Sequence, residues 1–216
     1  MAKVACFDTE TTGVSKEQDT LLQITIVDEN CNILLETYIK PKDRESWINA
    51  EQVNHISPDM VKDAPTALEI APLVQKIFDE ADVITGYNVG FDVGFVEKDC
   101  KITIDRTKVV DCLKVFKDEC KKKNINLSRH KLGNAVDFYC PEAKADYLAN
   151  AHDASCDAIA TMKVYEAQVD KERKRHYEKV TSLTDSAKEL LAKLYKPKEE
   201  EQETEVEKEE EDELEL

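Results

Sequence analysis

Several features that identify other classes of protein are missing from this sequence of 216 residues. No apolar run approaches the ~20 residues of a membrane-spanning helix. The seven cysteines include no C-x-x-C pair and are odd in number, which indicates neither a zinc site nor a disulfide framework. The start of the chain, from Lys3 to Asp8, has the pattern of a strand rather than of a signal peptide. We therefore expect a soluble, cytoplasmic protein with free thiols.

An excess of basic residues is also missing, and the acidic charge is unevenly distributed. The net charge is −16, and residues 198–216 contribute −10 of it through twelve acids and two lysines, which leaves −6 for residues 1–197. Binding of nucleic acid by charge alone needs lysine and arginine on the phosphates, but an enzyme can supply positive charge through bound metal ions. We predict a folded body over 1–170, a charged helical extension over 171–197 and a disordered acidic tail over 198–216.

Hydrophobic patterning predicts an α/β fold. A strand from Lys3 is followed by strands over 20–27 and 31–39, and the short connections imply an antiparallel meander. Residues 40–65 have the composition of a loop, except that Ser57-Pro58 is typical of a helix start. The remaining predicted strands cover 83–86 and 108–112. The remaining predicted helices cover 66–80, 93–99, the residues that follow the second of these strands as far as 117, 127–136 (capped by Ser128), 153–180 and 183–194.

The first strand ends in two carboxylates, Asp8 and Glu10. Side chains alternate between the faces of a strand, so these two point to the same face. Two acids at such a short separation resist ionisation because their charges repel, and a cation between them relieves the repulsion. The turn Thr11-Thr12-Gly13 follows, where glycine permits the backbone to approach a bound group.

Two later stretches add further ionisable groups. Asp92 follows a short buried strand at a loop-to-helix junction, which is where parallel α/β sheets build their sites. His152 precedes a predicted helix, and Asp157 lies one turn into it. Each feature alone has a structural explanation: solvated turn residues for Asp8 and Glu10, a helix N-terminal charge for Asp92 and a cap for His152.

Taken together, these residues fit metal-assisted phosphoryl chemistry. Four converging carboxylates (Asp8, Glu10, Asp92 and Asp157) need two divalent cations for charge balance, and magnesium or manganese suits oxygen ligands. Two ions roughly 3.5–4 Å apart can stabilise the attacking and leaving oxygens of a phosphoryl displacement. His152 is the group whose ordinary pKa suits it to take a proton from water.

The stretches FDTETTG, NVGFD and HDASCD resemble, in order, the three motifs of the DEDDh 3′→5′ exonucleases. The resemblance runs from about Lys3 to Tyr165 and is strongest to the epsilon proofreading subunit of bacterial DNA polymerase III. It implies a ribonuclease H-like fold with a mixed five-stranded sheet, three strands antiparallel and then two parallel. It also implies an exonuclease domain over 1–170, with Asp8, Glu10, Asp92 and Asp157 on two metal ions and His152 as the base.

The same resemblance implies contacts to the substrate. Asn54-His55-Ile56-Ser57 is similar to the family's histidine–glycine–isoleucine–threonine loop, which touches the terminal nucleotide. Val110-Asp111-Cys112-Leu113 is similar to a strand end where an acid recurs without binding metal. The expected substrate-binding residues are Thr11, Thr12, Gly13, His55, Ile56, Asn88, Phe91 and His152.

Three functions remain open. The first is a magnesium-dependent 3′→5′ exonuclease on single-stranded or frayed DNA ends, with proofreading for DNA polymerase III as one role and a DNA polymerase as partner. The second keeps the chemistry but uses RNA, as in the ribonuclease T and oligoribonuclease branches. The third is a non-catalytic interaction subunit that binds through the charged C-terminal region. Trp47 is expected to serve packing, and the cysteines to be small buried side chains.

Overall fold

The computed structural model describes residues 2–150 and 153–181. Residues up to Val169 belong to the compact unit that contains the sheet, and the second unit begins at Asp170. Of the second unit, the structure describes helical residues as far as Thr181. The predicted helix over 183–194 and the acidic tail lie outside the described residues, and the predicted domain boundaries stay a prediction.

The sheet has five strands in the order β3-β2-β1-β4-β5. The strands are β1 (Val4–Thr11), β2 (Leu21–Val27), β3 (Ile33–Tyr38), β4 (Val83–Gly86) and β5 (Val109–Asp111). β1 pairs antiparallel with β2, and β2 antiparallel with β3. β1 pairs parallel with β4, and β4 parallel with β5. The predicted mixed sheet, antiparallel on one side and parallel on the other, is confirmed.

Eight α-helices accompany the sheet in the described part of the chain. They are α1 (Ile48–Asn54), α2 (Pro58–Val61), α3 (Ala67–Glu80), α4 (Gly90–Cys100), α5 (Cys112–Lys122), α6 (Leu132–Tyr139), α7 (Lys144–Asn150) and α8 (Ala154–Thr181). The start of α2 at Pro58, with Ser57 as N-cap, is confirmed. Within the described ranges, no helix combines the length and the apolar character needed to cross a membrane.

Three parts of the helix prediction were wrong. Residues 40–65 have the composition of a loop apart from the Ser57-Pro58 start, but they contain α1, whose one buried residue is Asn54, so no apolar period marks the helix. The helix predicted over 127–136 with Ser128 as cap begins instead at Leu132, with Lys131 in the N-cap position. Leu127 packs against the same hydrophobic cluster as that helix, and so extends its apolar pattern without being helical. The helix α7 was not predicted.

The two faces of β1 contact different helices, and this determines where its carboxylates point. Phe7 packs against Phe78 of α3, with ring centroids 5.0 Å apart. Cys6 belongs to a cluster on the opposite face with Ala158 and Met162 of α8. Because side chains alternate along a strand, the even-numbered acids of β1 lie on the face that α8 covers.

Candidate active site

The end of β1 has a sheet neighbour on one side only. On the β2 side, pairing continues to Thr11, whereas on the β4 side it stops at Cys6. Beyond Cys6, the buried carboxylate of Asp92, in the first turn of α4, lies where a neighbouring strand would otherwise pair with β1. Its Oδ1 accepts hydrogen bonds from the Thr9 backbone N–H at 3.1 Å and from the Thr9 hydroxyl at 2.7 Å. The crevice at this edge is therefore bounded by carboxylates.

Three of the four predicted metal ligands converge closely. Oxygens of Asp8, Glu10 and Asp157 lie within 4.8 Å of one another. Asp157 is in the first turn of α8, on the helix that covers this face of β1. Asp92 is outside this group of three, but it is close enough that its charge is the largest electrostatic influence on Asp8 after burial.

The pKa values of the cluster reflect burial and mutual repulsion among its acids. Burial, followed by the charges of Asp92, Asp157 and Glu10, raises the pKa of Asp8 well above its ordinary value. Burial and the charge of Asp157 raise the pKa of Glu10 to about 8. Burial also raises the pKa of Asp92 to about 7, against the lowering effect of the Thr9 hydrogen bonds. Without a cation, burial and repulsion therefore favour the protonated forms of these acids.

The donor set fits a hard divalent cation. All the ligand atoms are carboxylate oxygens, which magnesium and manganese prefer. Oxygens within 4.8 Å of one another are compatible with a shared ion, because Mg²⁺–oxygen distances of about 2.1 Å put opposite ligands roughly 4.2 Å apart. Asp8, Glu10 and Asp157, with Asp92 beside them, are the residues that would hold it.

The turn after β1 is closed by the chain itself. Asp19 accepts hydrogen bonds from the Thr12 hydroxyl at 3.1 Å and from the Ser15 N–H at 2.9 Å, and it pairs with Arg44 at 2.8 Å. A Cβ on Gly13 would lie 2.4 Å from the Asp19 carboxylate. The close approach that glycine permits here is therefore to Asp19, and the side chains of Thr11 and Thr12 are buried.

The loop after α1 contains two predicted substrate contacts, His55 and Ile56, which differ in their exposure to solvent. His55 is exposed, with a φ of 59° in the left-handed region. Ile56 is 2% exposed and packs in a cluster with Trp47. Trp47 donates from Nε1 to the Ile56 carbonyl at 2.7 Å, so its expected packing role is confirmed. The Ile56 side chain serves the core, and His55 is the side chain of this pair that reaches solvent.

Two of the remaining predicted residues, Asn88 and Phe91, lie where β4 leads into α4. Asn88 is exposed, and its N–H donates to Asp111 at 3.0 Å. Asp111 also caps α5, accepting from the Leu113 N–H, which explains an acid that recurs there without holding metal. Phe91 is half-buried against Phe95. His152 lies outside the described residues, and its role stays a prediction.

Sequence reasoning missed three side chains around the cluster. Asp153 precedes α8, accepts from the Ser155 N–H at 2.9 Å and contributes to the raised pKa of both Asp8 and Glu10. Its position before a helix is a signal that could have been recognised. Tyr147 lies beside Asp157, and Asn54 lies beside Glu10. No sequence pattern marks Tyr147. Asn54 begins the stretch that resembles the family's substrate-contacting loop, but its position beside Glu10 was not predicted.

The three side chains around the carboxylate cluster also line a cavity of about 630 Å³. Its lining includes Asn54, His55, Tyr147, Asp153 and Lys163. Cavities of roughly 300–1,000 Å³ are typical of small-molecule sites. The carboxylate cluster thus lies beside a space large enough for a nucleotide, with aromatic and cationic side chains on its walls.

Comparisons with known proteins agree with this geometry. The family model described as "Exonuclease" matches residues 5–165. The 3′-5′ exonuclease DinG of Staphylococcus aureus is 30% identical over 203 residues, covering 90% of this chain and 21% of that protein. The chain therefore spans about a fifth of the length of the curated relatives it matches.

Solved structures show the same fold. E. coli Exonuclease I in complex with a dT13 oligonucleotide superposes with a TM-score of 0.62 at 20% identity, covering 84% of this chain and 44% of that one. Exonuclease X in complex with 5′ overhanging duplex DNA superposes with a TM-score of 0.51 at 17% identity, covering 78% of this chain and 92% of that one.

Proposed function

The chain belongs to the exonuclease family, and on that premise we propose that it is a metal-dependent 3′→5′ exonuclease that releases nucleoside monophosphates from DNA. The observation that carries the proposal is the convergence of Asp8, Glu10 and Asp157 to within 4.8 Å. The three acids are half-buried, and the pKa values of Asp8 and Glu10 are raised. Such a group at the edge of a cleft is typical of functional sites rather than of solvated surfaces.

The site residues have three roles: binding of the metal ions, transfer of a proton and contact with the substrate. Asp8, Glu10, Asp157 and Asp92 hold two divalent cations, Mg²⁺ or Mn²⁺. A bound divalent cation supplies positive charge to the phosphate and eases ionisation of the attacking water. His152 accepts the proton of that water, a contribution of roughly 10²–10⁴-fold in rate. His55, Asn88 and Phe91 contact the terminal nucleotide. The Thr11–Gly13 turn and the buried Ile56 support that surface from beneath.

DNA is the substrate that the comparisons favour. The matched structures of Exonuclease I and Exonuclease X hold a dT13 oligonucleotide and 5′ overhanging duplex DNA. In this chain, the cavity beside the carboxylates has His55, Tyr147 and Lys163 on its walls, and such side chains suit stacking on bases and contact with phosphate. Proofreading with DNA polymerase III and the use of RNA stay predictions from the sequence.

The test is degradation of a single-stranded oligonucleotide labelled at its 5′ end. We expect a ladder that shortens from the 3′ end in Mg²⁺, faster on DNA than on RNA of the same sequence. Asp8→Asn should lower the rate by at least about 10³-fold, because a lost metal ligand removes several kcal/mol of transition-state stabilisation. Asp118→Asn, which changes an exposed acid of α5, is the matched control and should keep full activity.

Two results would contradict the proposal. One is nucleotide release that persists in Asp8→Asn or in excess chelator, and the other is shortening from the 5′ end. A faster rate on RNA would keep the chemistry and replace the substrate. Inactivity of the unaltered protein together with retention of a partner would favour the interaction subunit.

A further inference from the structure

Asn54 connects the carboxylate cluster to the loop that follows α1. It is the last residue of α1, and its side chain is 7% exposed. His55, which follows it, adopts the left-handed conformation and donates its N–H to the Glu51 carbonyl at 2.9 Å. The chain reverses at this point, and the Asn54 side chain extends to the end of β1.

The hydrogen bonds of Asn54 define the orientation of its amide. The Oδ1 atom accepts from the Ile56 N–H at 3.1 Å. The Nδ2 atom donates to the Thr11 carbonyl at 3.2 Å. An asparagine amide has one accepting end and one donating end, so the –NH₂ group is the end that faces β1.

The same side chain lies beside the Glu10 carboxylate. Glu10 is one of the three acids whose oxygens converge to within 4.8 Å. Thr11, whose carbonyl Asn54 also binds, is the next residue in β1.

We propose that Asn54 is a positioning residue that holds the Glu10 carboxylate and the end of β1 in place for the divalent cation. This inference rests on the proposed function, because it assigns to Asn54 the support of a metal ligand. Residues that hydrogen-bond metal ligands typically contribute 10–100-fold to metal affinity.

A purely structural role for Asn54 makes a different prediction, and Trp47 separates the two. Trp47 anchors the same loop by donating to the Ile56 carbonyl at 2.7 Å, while Asn54 accepts from the Ile56 N–H. Of these two side chains, Asn54 is the one that bonds β1. Loosening the loop through Trp47 should therefore leave the cation site intact.

The experiment compares Mn²⁺ affinity in the full chain, measured by electron paramagnetic resonance of free Mn²⁺. In Asn54→Ser the hydroxyl can still accept from the Ile56 N–H, but it is too short to reach β1. We expect Mn²⁺ affinity to fall about 10–100-fold in Asn54→Ser. In Trp47→Phe we expect affinity within about twofold of the unaltered protein, even though both variants melt at lower temperature.

The outcomes separate the inference from the proposed function. Unchanged Mn²⁺ affinity in Asn54→Ser, or an equal loss in Trp47→Phe, would overturn the positioning role while leaving the nuclease proposal intact. No Mn²⁺ binding by the unaltered protein would overturn the proposed function, and the inference with it.

A second variant covers the case in which Asn54→Ser does not fold. Asn54→Asp keeps the size of the side chain and the acceptor for Ile56, and it places a negative charge against Glu10. We expect its kcat at saturating Mn²⁺ to fall at least about tenfold, with KM for the oligonucleotide little changed. A kcat within twofold of the unaltered protein would overturn the positioning role.

Discussion

At the scale of single residues, the site is a group of acids that the fold holds together at an energetic cost. Burial raises the pKa of Glu10 to about 8 and that of Asp92 to about 7, compared with about 4 in an unfolded chain. The native state therefore binds more protons than the unfolded state between these values. The contribution of these two groups to the stability of the metal-free protein is fully present below about pH 4 and is lost as pH rises through 7–8.

We predict that the melting temperature in excess chelator is lower at pH 8 than at pH 5.5, by at least about 3 °C. Saturating Mg²⁺ should remove most of this difference, because the bound cation neutralises the carboxylates that ionise at the higher pH. Differential scanning calorimetry at the two pH values measures both effects. Glu10→Gln should flatten the fall, whereas Glu80→Gln, which alters a solvent-exposed acid of α3, should not. A metal-free protein equally stable at both pH values would contradict the prediction.

Gly13 and Gly90 provide a second prediction at this scale. A Cβ on Gly13 would lie 2.4 Å from the Asp19 carboxylate, whereas one on Gly90 would meet nothing within 4 Å. Because Arg44, Thr12 and Ser15 hold Asp19, it cannot move away freely. Gly13→Ala should lower the free energy of unfolding by about 1–3 kcal/mol. Gly90→Ala, in α4, should be neutral or stabilising by up to about 1 kcal/mol.

Urea denaturation of both variants measures the difference. Adding Asp19→Ala to Gly13→Ala should cost less than the sum of the two single changes, because the carboxylate that the added methyl group crowds is then gone. Equal stability of Gly13→Ala and Gly90→Ala would contradict the prediction, because it would show that Asp19 moves away from the added methyl group without loss of stability.

At the scale of elements, Thr9 joins β1 to α4. Its hydroxyl donates to buried Asp92 at 2.7 Å. Thr25 of β2 is also fully buried, but its Oγ1 has no hydrogen-bond partner in the part of the chain that the structure describes. The two threonines therefore make a matched pair for the replacement of a hydroxyl by a methyl group.

Thr9→Val should lower the free energy of unfolding by about 1–3 kcal/mol at neutral pH, because Asp92 loses a donor. Thr25→Val should be neutral or slightly stabilising, since burial of a hydroxyl without a partner is unfavourable. Urea denaturation at pH 7 compares the two. If both variants lose the same stability, the Thr9–Asp92 hydrogen bond does not join the strand to the helix energetically.

The sequence predicted the elements whose residues carry a regular pattern. Asp8 and Glu10 could be assigned to one face because side chains alternate between the faces of a strand. The antiparallel pairing of β1, β2 and β3 followed from short connections, and the two parallel strands were implied by the family resemblance. The helix α1 was missed because Ile48 and Val53 are exposed, at 67% and 52%. Asn54 and Tyr147 could not be assigned a role, because their contacts with Glu10 and Asp157 depend on how distant segments fold together.

At the scale of the whole molecule, the acidic residues after Pro197 provide a further prediction. Residues 198–216 carry twelve acids and two lysines, and we propose that they compete with nucleic acid for the site or repel it. Deleting 198–216 should tighten binding of a single-stranded oligonucleotide in about 50 mM salt, and the effect should vanish near 1 M salt, where screening is strong. Fluorescence anisotropy with the Asp8→Asn variant, which should not degrade the probe, measures this. An unchanged affinity in low salt would exclude a role for these residues in binding.

The comparisons also concern the whole molecule. The chain aligns over 90% of its own length with a fifth of the Staphylococcus aureus relative. The exonuclease fold is therefore a unit that one relative carries within a much longer chain. The family resemblance inferred from the three motifs is confirmed.

The one-sided pairing at the end of β1 makes one backbone amide a reporter of the site. In a fully paired strand, an amide hydrogen exchanges with deuterated solvent only when the sheet opens. The Thr9 amide instead donates to the Asp92 carboxylate, so its exchange depends on the protonation and ion binding of that side chain. Deuterium uptake at Thr9 thus follows occupancy of the site, while amides bonded to β2 follow opening of the sheet.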